Sequence, residues 1–352
     1  MESTHPREGR RRLGGRRADL AHVARGHHAR HLLAGAPAIN WTKFITAELY
    51  PQVVYQRDLA GVPLTPGQST LLGNAAITAC DAVGNRHLGY IPDPFQCRYD
   101  PTQDLNVICT SSGGNAPSGD CVTQAQAVAM NKIWYGLTRG TNIGGLGGPR
   151  PFTIASDMVA LELQDASYAS TNFINATRNG ADRWRTLSYL DLSNAYDRGV
   201  ALQSPFANIN TDDNNLAEFA ARGGKMLVYH GLADTLIPPQ GTLNYYNRLT
   251  AKMGGDTVVK NFYRLFLVPG MAHGFSNGTA NPDANPPLPT IDQLYLALTT
   301  WVEQDQPPSR LDIASPVTTA NPNAASRPIC MHPTKAVFVG SDPLVAASYN
   351  CT

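Results

Sequence analysis

Lys225-Met-Leu-Val-Tyr-His-Gly-Leu-Ala-Asp-Thr-Leu-Ile-Pro238 decides how this chain is read. Its first six residues form a continuous apolar strand, the pattern required when a parallel sheet is covered on both faces. A loop follows, and Pro238-Pro239 opens a helix expected to run to about Met253 and to stop at Gly254-Gly255. Phe262-Tyr-Arg-Leu-Phe-Leu-Val268 reads as the next strand. Thr290 with Gln293 makes a capping box for a helix through Leu294, Leu298 and Val302. This alternation predicts an α/β fold with a doubly wound sheet. Functional loops in such folds stand at the carboxyl ends of the strands.

Two loops fit that place. One is His230-Gly-Leu-Ala-Asp-Thr-Leu-Ile-Pro238, and the other is Val268-Pro-Gly-Met-Ala-His-Gly-Phe275. Each directly follows a strand. Asp234 from the first and His273 from the second are candidate partners at one edge of the sheet. In a serine hydrolase the imidazole takes the proton of the nucleophile, while the carboxylate fixes the tautomer and stabilises the imidazolium. The order Asp before His, with a serine upstream of both, is the order of the α/β-hydrolase fold. Taken singly, Asp234 is more simply a turn residue and His273 a surface histidine. The placement of both after strands is what favours catalysis.

Working outward, His31-Leu-Leu-Ala-Gly-Ala-Pro-Ala-Ile-Asn-Trp41 reads as a short buried strand running into a loop. Residues 42–220 then hold helical pieces and no strand–helix alternation. Thr65-Pro66 marks a helix start, with Leu71, Leu72, Ala75, Ala76 and Ala79 on one apolar face. Thr123 is positioned to cap another helix, with Val128, Ile133, Trp134 and Leu137 inward. Gly-, Pro- and Asn-rich loops lie between, among them Ser111-Ser-Gly-Gly-Asn-Ala-Pro-Ser-Gly119 and Gly144-Gly-Leu-Gly-Gly-Pro149, in keeping with 31 glycines and 26 prolines in 352 residues.

Charged residues make up 16% of the chain and the net charge is +1, so nothing overall points to nucleic acid or to an anionic membrane. Residues 1–31 depart from this balance, with Arg7, Arg10, Arg11, Arg12, Arg16, Arg17, Arg25 and Arg30 among five histidines. No nucleic-acid-binding module follows them. The simpler reading is a disordered or mis-framed segment. Neither a transmembrane span nor a secretory signal is legible. The six cysteines contain no C-x-x-C pair, which argues against zinc. Their even number and spacing suit disulfides in an oxidising compartment, and short loops favour nearest neighbours.

Three strings in order carry a resemblance: Ala34-Gly-Ala-Pro-Ala-Ile-Asn-Trp41, Tyr229-His-Gly-Leu-Ala-Asp-Thr-Leu-Ile-Pro-Pro-Gln240 and Phe262-Tyr-Arg-Leu-Phe-Leu-Val-Pro-Gly-Met-Ala-His273. From about Leu32 to Thr352 the chain resembles the tannase/feruloyl esterase family. The resemblance implies a carboxylic ester hydrolase acting on aromatic-acid esters, with Asp234 and His273 as the acid and base of a Ser-Asp-His triad. It implies a partial α/β-hydrolase: a core strand at 32–41, an inserted lid over 42–220 and a C-terminal core over 221–352. It also supports the pairs Cys80–Cys97, Cys109–Cys121 and Cys330–Cys351, and a secreted or periplasmic location.

The departures from the family pattern matter as much. The nucleophile of the family sits in a Gly-Cys-Ser-x-Gly-Gly string some way before Ala-Gly-Ala-Pro. Here the corresponding interval reads Arg10-Arg-Arg-Leu-Gly-Gly-Arg16, with Arg12 roughly where the serine belongs. Earlier strands and the oxyanion-hole loop belong further upstream, so the sheet is expected to be incomplete and the chain inactive as written. Ser69 echoes a nucleophile elbow only superficially, since Leu71 replaces the second glycine and no strand precedes it. Ser112 lies in a loop between two cysteines. A family calcium string is also degraded: Asp81 remains, while Gly84 and Leu88 stand where carboxylates belong, so no metal or other cofactor is expected. Calcium takes about six to eight oxygens. The alternatives are another α/β-hydrolase family, or a non-catalytic remnant that still binds an aromatic ester.

Overall fold

The computed structural model describes residues 31–117, 119–136, 153–171, 179–317, 319, 321 and 324–352. The basic segment up to residue 30, Leu137 and the loop at 144–149 lie outside the described residues. The chain starts as β1 (His31–Gly35) and passes through α1 (Trp41–Glu48), α2 (Tyr50–Asp58) and α3 (Pro66–Cys80). A small hairpin of β2 (Ala82–Val83) and β3 (Arg86–His87) precedes α4 (Gln124–Tyr135), α5 (Thr153–Leu163), α6 (Tyr189–Ala201) and α7 (Ala217–Ala221). The chain returns to the sheet as β4 (Lys225–Gly231), crosses through α8 (Pro239–Met253) and α9 (Asp256–Val259) to β5 (Tyr263–Val268), and continues into α10 (Ile291–Gln304). Two antiparallel pairs finish it: β6 (Arg310–Ala314) with β7 (Ser326–Cys330), and β8 (Ala336–Phe338) with β9 (Tyr349–Cys351).

Among the described residues the parallel sheet has the order β1-β4-β5, with β4 in the centre. Side chains alternate along β4. Met226 and Val228 pack with Tyr245, Tyr246 and Leu249 of α8. Leu227 packs on the other face with Phe266 and with Leu294, Leu298 and Trp301 of α10. This three-layer arrangement explains the unbroken apolar run, since each face of β4 meets a helix. Burying one such side chain is worth about 1.5–3 kcal/mol. β1 is only half-buried, a correction to its reading as a buried strand. Of the two edges of the three described strands, β5 is flanked by the β7 segment through the Phe266–Met331 bridge, whereas β1 has no such strand beside it among the described residues.

The segment between β1 and β4 folds around two apolar clusters of its own. One gathers Val54, Leu72, Val122, Ile133 and Trp134, and the other gathers Ile45, Val159, Leu187 and Leu192. Thr65 with Gln68 and Thr123 with Gln126 both form complete capping boxes. Three details differ from expectation. Val128 is 42% exposed, because the inward line of α4 runs through Ala127, Met130 and Trp134, one step away. Ala79 is exposed, because Leu72, Ala76 and Ile77 carry the inward face of α3. The hydroxyl of Thr290 accepts the N–H of Gln293, but the Gln293 amide turns away and donates to the Asp312 carbonyl of β6 at 2.7 Å, so that cap is one-sided.

Disulfides join Cys80–Cys97, Cys109–Cys121 and Cys330–Cys351, the nearest-neighbour set. Loops of this length contribute about 3 kcal/mol each by restricting the unfolded chain. Two of them staple the helical segment, which has long irregular connections. No described helix is long and apolar enough to cross a membrane.

Candidate active site

β4 and β5 lie in register with Gly231 opposite Val268, so the loops leaving them start side by side. Backbone bonds stitch these loops together. The Leu232 N–H donates to the Val268 carbonyl at 2.9 Å, and the Ala233 N–H donates to the Met271 carbonyl at 3.0 Å. Gly231 permits this approach: a Cβ there would stand 2.2 Å from the Met271 oxygen and 2.4 Å from the Ala272 oxygen. Gly270 turns the second loop at φ +71°, a conformation that glycine adopts without strain.

The result brings Asp234 and His273 together. Asp234 is 2% exposed, and its Oδ1 accepts the backbone N–H groups of Leu236 at 2.7 Å and Ile237 at 2.9 Å. Its Oδ2 lies 3.0 Å from His273 Nδ1. Burial by itself would raise the Asp234 pKa. Hydrogen bonds from His230 and His273, the proximity of His230 and the Ile237 N–H outweigh it and hold the carboxyl well below the usual carboxylate range. A carboxylate can only accept, so Nδ1 carries the ring hydrogen and Nε2 keeps its lone pair. The His273 side chain is 43% exposed. Chemically this arrangement can serve as an oriented imidazole base with a partner ionised at neutral pH. Phe275, two residues on, stacks on Tyr229 with ring centroids 5.4 Å apart.

The other candidates stand elsewhere. Ser69 sits in the first turn of α3, its N–H donating to the Thr65 carbonyl at 3.0 Å, and Ser112 ends a short 3₁₀ turn. Neither bonds to His273. Arg12 lies outside the described residues. Asp81 is buried, with Oδ1 2.6 Å from His87 Nδ1 and Oδ2 accepting the Gly89 N–H at 2.8 Å.

One residue escaped the sequence reading. His230 is fully buried beside the pair, with Nε2 3.3 Å from Asp234 Oδ2. The available signal was its place at the end of an apolar strand, four residues before the acid.

Comparison with known proteins bears on the whole arrangement. The family model described as tannase and feruloyl esterase matches residues 14–352. A probable feruloyl esterase of Arthroderma benhamiae is 27% identical over 348 residues, covering 91% of this chain and 58% of the relative. A probable feruloyl esterase B-2 of Aspergillus terreus is 30% identical over 334 residues, covering 88% of this chain and 58% of the relative. The chain thus spans well under two thirds of these curated relatives. Among solved structures, an esterase from Aspergillus oryzae superposes with a TM-score of 0.71 at 22% identity, covering 96% of this chain and 66% of that one. The tannin acyl hydrolase from Aspergillus niger gives 0.71 at 20% identity, covering 96% and 62%. The fold is therefore that of these α/β-hydrolase-like esterases, and the chain belongs to the tannase and feruloyl esterase family.

Proposed function

We propose that this chain carries the acid and base of a serine-type carboxylic ester hydrolase for aromatic-acid esters, with Asp234 orienting His273 as general base. The observation that carries the reading is the 3.0 Å contact from His273 Nδ1 to Asp234 Oδ2 at the carboxyl edge of the parallel sheet. In the same reading the helical segment over 42–220 is a lid that shapes the acyl and alcohol pockets. The exposed Phe275, backed by Tyr229, offers an aromatic surface beside the base. Three disulfides support an oxidising compartment, secreted or periplasmic.

The proposal includes inactivity of the chain as written, because Arg12 stands where the family places its serine. Guanidinium is always protonated and cannot act as a nucleophile. The test is hydrolysis of methyl gallate, methyl ferulate and a nitrophenyl ester by the chain and by its His273→Ala variant. Equal background in both is expected. Turnover that disappears in the variant would reveal a nucleophile in this chain and overturn the inactivity. Saturable binding of methyl ferulate without turnover would favour the non-catalytic remnant.

The calcium implied by the family does not fit the residues present. Both Asp81 oxygens are already engaged, by His87 and Gly89, and no cluster of three metal-binding side chains occurs among the described residues. Chelator is therefore expected to leave the melting temperature unchanged. A clear drop that calcium restores would show that the loop still holds the ion.

A further inference from the structure

His230 is the last full residue of the apolar run in β4, on the face that meets α8. Burying an imidazole is costly unless its nitrogens are paired, and here both are. Nε2 lies 2.8 Å from the Ile237 carbonyl oxygen. A carbonyl only accepts, so Nε2 carries a hydrogen. The same nitrogen stands 3.3 Å from Asp234 Oδ2. Nδ1 lies 2.8 Å from Thr242 Oγ1 of α8, which donates to it in the neutral ring.

These contacts close a ring. His230 Nε2–H donates to the Ile237 carbonyl, the Ile237 N–H donates to Asp234 Oδ1, and Asp234 Oδ2 faces His230 Nε2 again. Asp234 Oδ2 thus lies between His273 Nδ1–H at 3.0 Å and His230 Nε2 at 3.3 Å, whose one hydrogen is shared between the nearer Ile237 carbonyl and this oxygen. Besides burial, the groups that act most strongly on the ionisation of Asp234 are His230, His273 and the Ile237 N–H.

We infer that His230 is a positioning residue for the proposed acid–base pair: it closes the Asp234 turn from behind and gives Oδ2 a second donor, which limits how strongly Asp234 stabilises the His273 imidazolium. The inference rests on the reading of Asp234 and His273 given above. A base held too strongly as imidazolium is protonated at the operating pH and useless, so this second donor tunes the base as well as placing it. A histidine that merely filled core volume would do neither.

The test is an imidazole ¹H–¹⁵N NMR titration of His273 in the full chain, with four variants. His230→Leu removes the donor and keeps the apolar bulk; it is expected to raise the His273 midpoint by roughly one unit. His230→Gln can place an amide N–H toward the same acceptors and is expected to stay near wild type. If His230→Leu does not fold, Thr242→Val replaces it, because loss of the anchoring hydroxyl lets the ring turn away; a smaller upward shift is then expected. A wild-type midpoint in the folded His230→Leu protein, or in Thr242→Val where that stands in, overturns the inference. Asp234→Asn separates the two ideas. It should lower the His273 midpoint. If it does not, the acid–base pairing itself fails; if it does while His230→Leu changes nothing, only the role of His230 falls.

Discussion

Asp234→Asn, placed in a chain whose residues 1–31 are replaced by the nucleophile-bearing segment of a family member, is expected to lower kcat on methyl ferulate by roughly 10⁴-fold. The cause is a tautomer. Asp234 accepts the hydrogen on His273 Nδ1, which leaves the lone pair on Nε2 to take the proton of the nucleophile. An asparagine still accepts the Leu236 and Ile237 N–H groups through one oxygen, so the turn persists. Its amide then presents hydrogens to Nδ1, the ring hydrogen moves to Nε2, and the base is lost. A factor of that size corresponds to about 5.5 kcal/mol of transition-state stabilisation. The measurement is single-turnover kinetics on the paired chains, with circular dichroism to confirm equal folding. A loss below tenfold would mean that Asp234 does not set the tautomer. Because its carboxyl is held below the ordinary range, Asp234 stays ionised from mildly acidic pH upward, and any pH limb of activity there belongs to another group.

Glu162→Gln is expected to remove a large pH dependence of stability. Glu162 is fully buried on α5, facing α1 and α6, and burial pushes its carboxyl up to about 8 from an ordinary 4.5. The geometry agrees independently. Thr46 Oγ1 lies 2.6 Å from both the Thr42 carbonyl and Glu162 Oε1. The hydroxyl has one hydrogen, and the carbonyl can only accept it. A neutral Glu162 carboxylic acid supplies the hydrogen that lets both contacts be hydrogen bonds, and burial outweighs the lowering effect of a Thr46 hydroxyl that donates to it. Oε2 has no partner among the described residues, which a carboxylate could not tolerate. Gly199 of α6 admits the group, since a Cβ there would stand 2.2 Å from Oε1.

The sign follows from proton binding. Between the unfolded and folded pKa values the native state keeps a proton that the unfolded chain releases, so stability falls as pH rises. The contribution is complete below the unfolded value of about 4.5 and is lost as pH passes through about 8. Its size is on the order of 3–5 kcal/mol, at about 1.4 kcal/mol per unit. Urea unfolding at pH 5.5 and 8.5 should show the wild type losing several kcal/mol more than Glu162→Gln. Parallel pH dependences in the two proteins would place a charged Glu162 in the native helices.

Much of the parallel sheet and its covering helices was legible because its signals are local. The run from Lys225 to His230 can be apolar throughout only if both faces are covered, and α8 and α10 cover them. Pro239 marks a helix start because the first turn needs no N–H from it, and Gly254 and the Thr65 and Thr123 caps mark helix ends through hydrogen bonds within a few residues of one another. The nearest-neighbour disulfides belong to the same class, since short loops close at the smallest entropic cost. Val128 and Ala79 were misplaced because an apolar residue one helical step off the seam looks the same in the sequence as one on it.

By itself, then, the sequence determined β1, β4, β5, the helices opened at Thr65, Thr123, Pro238 and Thr290, and the two loops that present Asp234 and His273. The antiparallel pairs β2–β3, β6–β7 and β8–β9 carried no sequence signal that was read. Whether those side chains meet was decided by the pairing of β4 with β5 and by the bonds between their loops, across 39 residues. The neutral Glu162 and the closed ring of His230, Ile237 and Asp234 belong wholly to the tertiary structure. A buried histidine or glutamate carries no sequence mark of its partners, because desolvation and hydrogen bonding depend on which groups the fold brings within about 3 Å, and those come from distant parts of the chain.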